Sequence, residues 1–472
     1  MLRRDFLKAS SSAFFAAMWP RLFAAAKAAG GAENVPYGDV DAYTEDIDAA
    51  PWWKGNVHMH TLLSDGLVFP VEAAALYKRL GYNFVVLTDH DVTPPFGETY
   101  LGESNRYYAK RLTPEYFRRF KDNFPEHFPA VRLNRNGRNE YRIMPFEELA
   151  AAVGEKNRYL VIPGNELTYV AKDGNSVHCN LINLASPCRS QKGCPDAAAA
   201  LANALEKAEK AGCVNSPKSL FMVNHPLWTS YDIDPAHLIA HPEIRFFEVN
   251  NSGSMARYNL PPGDVFTHDK WWDAINATRA TLGQPLLYGT GSDDQHDYTE
   301  HYSGRIPRPG YVRVAAGTLT TDSIMTAMHK GNFYATSGLE LSRVRFNRRT
   351  NTLHVSVKPE KGFKYRIIFI GSKLGCELGE RGRVKWRIRK PSPGDLAYGF
   401  NPDRSVPYYS PAIGATLKIS DSTDSSYTMQ DDDLYVRAKI ITDRGVLPEN
   451  RIQINPVAWT QPVRNRRIHP AS

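Results

Sequence analysis

Short apolar runs rich in Val, Leu, Ile and Phe recur between residues 53 and 293, broken by polar turns. They predict strands over 53–60 (WKGNVHMH), 82–89 (YNFVVLTD), 159–166 (YLVIPGNE), 177–184 (VHCNLINL), 220–225 (LFMVNH), 245–251 (RFFEVNN) and 285–293 (PLLYGTGSD). Helical periodicity lies between several of them. In 71–81 the apolar positions are 71, 74, 76, 77 and 80, and Gly81 stops the pattern. Residues 195–212 are rich in Ala, Leu, Glu and Lys and end on Gly212; 320–331 puts Ile324, Met325 and Met328 on one face before Gly331. Strands alternating with helices predict an α/β fold with a largely parallel sheet, and this number of strands suits barrel-like closure.

Two stretches break the rhythm. Residues 94–150 are rich in Tyr, Phe, Arg and Asn, too long for a plain connection, and read either as a lid or as a small structural subdomain. From Leu341 onward SRVRFN, TLHVSVK, KYRIIFIG, RVKWRIR and LYVRAKIIT alternate apolar and polar residues, as in an antiparallel, sandwich-like domain. The expected organisation is a leader over 1–28, a linker over 29–50, an α/β unit over 51–340 and a β-rich unit over 341–472.

The leader changes the picture of compartment and charge. Arg3-Arg4-Asp5-Phe6-Leu7-Lys8 precedes a short apolar stretch and Ala-rich cleavage candidates near Ala24–Ala28. That run is too short to span a bilayer, resembles a twin-arginine export signal, and predicts a periplasmic or secreted protein with no membrane helix once mature. Residues 1–28 hold Arg3, Arg4, Lys8, Arg21 and Lys27 against Asp5, so removing them halves the formal charge of +8. No dense basic stripe remains to favour nucleic acid. Cys188 and Cys194 share a Pro/Gly/Ser loop and could pair in an oxidising compartment, whereas Cys179 and Cys213 read as buried thiols.

Chemistry gathers at the strand ends. The first strand gives His58 and His60, then Asp65 in the turn NVHMHTLLSDG; the second gives Asp89 and His90; the third Glu166. His178 opens the fourth strand, His225 ends the fifth, and Asp293, Asp294 and His296 follow the seventh. Residues i and i+2 of an extended chain point the same way, so His58 with His60, and Asp294 with His296, can face one ion. Carboxylates and imidazoles crowded together need cations, and mixed N/O ligation suits Zn, Mn or Fe better than Ca or Mg.

HxH with SDG, then TDH, GxE, a His, HP and DxH resembles the PHP (polymerase and histidinol phosphatase) family of metal-dependent phosphoesterases, over residues 52–297. The resemblance implies a distorted seven-stranded (β/α) TIM-like barrel around two or three divalent ions. The ligands it implies are His58, His60, Asp65, His90, Glu166, His178, His225, Asp294 and His296, with Asp293 as a competitor of Asp294. It further implies Glu166 as a bridging carboxylate, Asp89 behind it orienting a ligand imidazole, and a hydroxide shared between ions as the nucleophile. A phosphate-grasping arginine is expected among Arg106, Arg257 and Arg305. The function implied is hydrolysis of a small phosphate ester. The rivals are a phosphodiesterase or exonuclease, a hydrolase of C–N or C–O bonds, and a non-catalytic binding protein.

Overall fold

The computed structural model describes residues 41–44, 47, 49–92, 99–102, 111–184, 186–228, 231–253, 267–304, 309–387, 403–443, 445 and 456–468. The leader and most of the linker lie outside these residues, as do Arg106, Arg257 and Arg305. No helix among the described residues is long and apolar enough to cross a membrane.

In chain order the first strands are β1 (Trp52–Asn56), β2 (Phe84–Leu87), β3 (Thr99–Gly102), β4 (Val131–Leu133), β5 (Asn139–Ile143) and β6 (Leu160–Val170). β7 (Ser176–Ile182), β8 (Leu220–Val223), β9 (Phe246–Asn251), β10 (Tyr288–Ser292), β11 (Tyr311–Ala315) and β12 (Phe333–Thr336) follow. The C-terminal strands are β13 (Leu341–Asn347), β14 (Thr352–Val357), β15 (Tyr365–Lys373), β16 (Glu380–Arg387), β17 (Asp403–Tyr409), β18 (Ala415–Ser420), β19 (Asp424–Thr428), β20 (Asp433–Thr442), β21 (Val457–Thr460) and β22 (Val463–Arg464).

One large sheet runs β10-β9-β8-β7-β6-β2-β1-β11-β12-β21-β20-β15-β18, with β22 beside β20. The α/β class stands, but the sheet is mixed and does not close as a barrel. β1–β2, β2–β6, β8–β9 and β9–β10 are parallel, while β6–β7, β7–β8 and β1–β11 are antiparallel. The β6–β7 reversal has a local cause. Lys172-Asp173-Gly174-Asn175 makes a tight turn in which Gly174 takes φ +82° and Asp173 Oδ1 accepts from Asn175 N–H (3.0 Å). At the other end, β10 packs against β11 without ladder hydrogen bonds among the described residues. Gly291 permits that approach, because a Cβ there would sit 2.7 Å from the Tyr311 carbonyl oxygen.

Helices cover the sheet where parallel pairs demand crossovers. Pro70–Arg79 links β1 to β2, and His268–Thr281 links β9 to β10. The helix Ala197–Lys210 starts where Asp196 accepts from Ala199 N–H (2.8 Å), and it buries Ala200, Leu201, Ala204, Leu205 and Ala208 against β7 and β8. In the interrupting stretch 94–150, β3, β5 and β4 form a small antiparallel sheet. Its helix Pro114–Asn123 lays Tyr116 and Phe120 on Phe69, at the start of Pro70–Arg79.

The β-rich C-terminal part is sandwich-like. β13, β14 and β19 form one sheet, and Val344, Phe346, Leu353 and Val355 pack with Ile367, Phe369, Val436, Ala438 and Ile440 of β15 and β20. Alternation along β20 turns Tyr435, Arg437 and Lys439 the other way, onto helix His268–Thr281. β21 pairs with β12, so the large sheet passes unbroken from one part to the other. Cys188 and Cys194 form no disulfide; all five cysteines are thiols.

Candidate metal centre

The site lies just past the ends of β1, β2, β8 and β10. Residues 58–60 run beside 294–296, joined by a parallel bridge between Met59 and Gln295 and by His60 N–H donating to the Gln295 carbonyl (2.9 Å). With Asp294 N–H donating to the His58 carbonyl (3.2 Å), two backbone hydrogen bonds set the two i, i+2 pairs side by side. His58 Nε2 is 3.1 Å from His60 Nε2, and Asp294 Oδ1 is 3.3 and 3.0 Å from them. His90 and Glu166 are joined by a second parallel bridge, and His90 Nδ1 stands 2.7 Å from Glu166 Oε2.

All nine residues named as ligands by resemblance converge here. Their donor atoms fall into four overlapping groups: His60, Asp65, His90 and His296; His58, His60 and Asp294; His58, Glu166 and His225; His90, Glu166 and His178. Glu166 is the common member of the last two. It is mid-strand in β6 rather than at a strand end, and its oxygens lie 3.2, 3.4, 2.7, 3.3 and 3.6 Å from His58, His60, His90, His178 and His225. His58 and Glu166 have no exposed side-chain surface, whereas His90, Asp65 and His296 keep 25%, 31% and 37%. The cluster thus opens to solvent on the His90–Asp65–His296 side.

Three placements go beyond or against expectation. Asp89 orients no imidazole; its carboxylate accepts from Thr61 N–H (2.7 Å), Thr61 Oγ1 (2.8 Å) and Ser64 Oγ (2.6 Å). It fixes the turn that delivers Asp65, and Gly66 completes that turn because a Cβ would sit 2.4 Å from the His60 carbonyl oxygen. Asp293 turns away from the cluster, accepting from Asn56 Nδ2 (2.5 Å) and Tyr77 Oη (2.6 Å), so Asp294 alone of the pair faces the histidines. Glu248 was not anticipated. Fully buried in β9, it accepts from His58 Nδ1 (2.8 Å), His225 N–H (2.9 Å), Asn251 Nδ2 (2.8 Å) and Ser292 Oγ (2.5 Å). Its signal was a carboxylate inside the apolar run FFEV. The backbone is strained at the same place: Asp294 and His225 have φ +48° and +21°, outside the comfortable range of L-residues.

Burial alone disfavours a charged imidazole or carboxylate, and the cluster resolves this unevenly. At His58 the carboxylates of Asp294, Glu166 and Glu248 outweigh burial and hold the pKa well above its ordinary value. His90 and His225 are raised against burial in the same way, chiefly by Glu166. His60 is pushed down to about 4 by burial, His296 and His90. Burial opposes ionisation of Glu166, yet His58, His90 and His178 draw it well below the carboxylate range. Neighbouring imidazoles are thus driven in opposite directions.

The residues fit divalent ions. With Nδ1–H of His58 given to Glu248, it is Nε2 that faces His60, and a cation there would take the place of the Nε2 proton. Glu166 Oε2, Asp294 Oδ1 and His178 Nδ1 are buried and make no hydrogen bond. No Lys or Arg pairs with Asp65, Glu166, Glu248 or Asp294 among the described residues. Buried acceptors aimed at one another are costly without a cation between them.

No family model matches the chain, and no curated protein does. Among solved structures it is similar to a two-domain protein from Bacteroides vulgatus containing a predicted PHP-like metal-dependent phosphoesterase, at 15% identity and a TM-score of 0.38, covering 88% of this chain and 98% of that one. A protein from Bifidobacterium adolescentis described as a metal-dependent phosphoesterase gives 13% identity and a TM-score of 0.29, covering 52% of this chain and 89% of that one. An amidohydrolase from Chromobacterium violaceum gives 14% identity and 0.24, with the same coverage. Likeness of this degree carries no function across.

Proposed function

We propose that this chain is a metal-dependent phosphoesterase of the PHP type that hydrolyses a small phosphate ester. The observation that carries the reading is Glu166, one buried carboxylate shared by two nitrogen-lined groups. A shared carboxylate is what two closely spaced ions require, and mixed N/O donors favour Zn, Mn or Fe. Charge supports the number. Asp65, Glu166, Glu248 and Asp294 meet no Lys or Arg among the described residues, so with neutral imidazoles two dications balance them, and a third would be matched by a phosphate dianion.

Such ions supply Lewis acidity toward a phosphoryl oxygen and make water acidic enough to attack at neutral pH. The chain's own side chains do the rest. Glu248 fixes the His58 ring and ties down the His225 backbone; Asp89 fixes the turn bearing Asp65. The partly exposed His90, Asp65 and His296 form the mouth through which the phosphate enters. An arginine from among Arg106, Arg257 and Arg305 would clamp the phosphate, and each of these lies outside the described residues.

Metal analysis of the purified protein beside a panel of phosphomonoesters, dinucleotides, amides and carboxylic esters tests the reading. The expected result is at least two ions per chain and phosphate released from monoesters alone. Less than one ion per chain overturns it, and cleavage confined to dinucleotides or to C–N or C–O bonds replaces it with a rival. We also propose export to the periplasm or beyond, supported by Arg3 and Arg4 ahead of the short apolar run. A reporter fused behind residues 1–35 should stop crossing the membrane when both are changed to Lys.

A further inference from the structure

Trp228 follows His225-Pro226-Leu227, and its N–H donates to the His225 carbonyl (2.9 Å). That turn folds the indole back onto the cluster. Its ring centroid lies 5.2 Å from that of His225 and 5.3 Å from that of His178, and the two imidazoles are 4.9 Å apart. Both imidazoles are tilted against the indole, at 49° and 53°. His178 and His225 are buried, whereas Trp228 is only half-buried, so part of the residue stays open to solvent beside them. Its Nε1–H has no acceptor among the described residues, whereas Trp53, Trp271 and Trp272 each donate theirs to a carbonyl.

We propose that Trp228 is a stacking platform at the rim of the centre, and that the phosphate esters taken there carry a planar aromatic ring in their organic part. This rests on the phosphoesterase reading. A ring held beside His178 and His225 places an aromatic substituent within reach while its phosphate occupies the cluster. Aromatic pairs gain about 0.5–1.5 kcal/mol beyond the area they bury, and a saturated ring of similar size does not. A wall that merely shields the two imidazoles would make no such distinction.

The test uses two phosphonates, phenyl and cyclohexyl, which the enzyme cannot hydrolyse. Their binding to the metal-loaded full chain is measured by titration calorimetry. Wild type should prefer phenylphosphonate by roughly three- to tenfold. Trp228→Leu should abolish the preference with cyclohexylphosphonate affinity held within about twofold, and Trp228→Phe should keep most of it. Metal content is measured for each variant; if Trp228→Leu sheds metal, Trp228→Phe decides by falling between wild type and no preference. Equal affinities in wild type, or a preference that survives Trp228→Leu, overturn the platform alone. Failure of metal-loaded wild type to bind either phosphonate overturns the phosphoester reading and the platform with it.

Discussion

Two buried charged clusters in this molecule solve the same problem differently. Between helix His268–Thr281 and β20, Arg437 meets both oxygens of Asp273 (2.9 and 2.6 Å) and reaches Asp269 (2.9 Å), while Lys439 reaches Asp269 (2.6 Å). Two cations face two carboxylates, Tyr435 adds a hydrogen bond to Asp273 (2.8 Å), and the Arg437 guanidinium lies 4.6 Å over Trp272. This cluster carries its own counter-charge. The other, around Glu166, has carboxylates and imidazoles but no Lys or Arg among the described residues. A self-neutralised network joins parts of a fold; one that lacks its cations is built to receive them.

Variants should separate the two. The largest effect is expected from Glu166→Gln. Metal content should drop below one ion per chain, and turnover should fall by more than about a hundredfold, past the range for loss of an outer hydrogen-bond partner. The urea midpoint measured without metal should fall less than in Arg437→Leu, because the imidazoles left behind can give up their protons, whereas Asp269 and Asp273 there have lost a permanent cation. Glu166→Gln protein that retains its ions would break the comparison. Arg437→Leu should do the reverse. It strands Asp269 and Asp273 in the interior, at a cost of about 3–5 kcal/mol in urea unfolding, while metal content stays unchanged. Glu248→Gln should sit between them, with metal affinity down roughly ten- to hundredfold, because a neutral amide offers one acceptor oxygen where the carboxylate held His58 and three other donors with two. Competition against a chromogenic chelator reads this directly.

How much of this was legible follows from where the information lies. HxH and DxH are local patterns, and the i, i+2 rule was enough to put each pair on one side. Their face-to-face meeting depended on the Met59–Gln295 bridge, which no local pattern encodes. A largely parallel sheet was the wrong inference, in part because Asp173-Gly174 makes a hairpin between β6 and β7; that turn signal is short beside the apolar runs that flank it. Glu248 was passed over because a lone acidic residue in a strand resembles noise until its partners are known. Asp89 was assigned by analogy to an imidazole, yet its contacts are with Thr61 and Ser64, a turn whose geometry only the fold supplies.

Glu72 shows a third way to bury a carboxylate, with neither an ion pair nor a metal. It lies on helix Pro70–Arg79, where the Tyr116 hydroxyl donates to Oε2 and the Phe69 N–H approaches it (3.4 Å). Burial pushes its pKa up to about 8, against which these two hydrogen bonds work only partly. At neutral pH the folded chain therefore keeps a proton that the unfolded chain has released. With fewer protons bound in the unfolded state, stability must fall as pH rises. Glu72 makes its full contribution below the ordinary glutamate value of 4.5, and that contribution drains away up to about 8. One proton sets a ceiling of about 1.4 kcal/mol per pH unit on the slope. Urea unfolding of wild type and Glu72→Gln across this window isolates it, since every other titrating group is common to both. The wild-type curve should decline relative to the variant between pH 4.5 and 8 and run parallel to it above. Parallel curves throughout would mean that Glu72 is ionised in the fold, and that Arg119, whose charge draws its pKa down, neutralises it as Arg437 does Asp273.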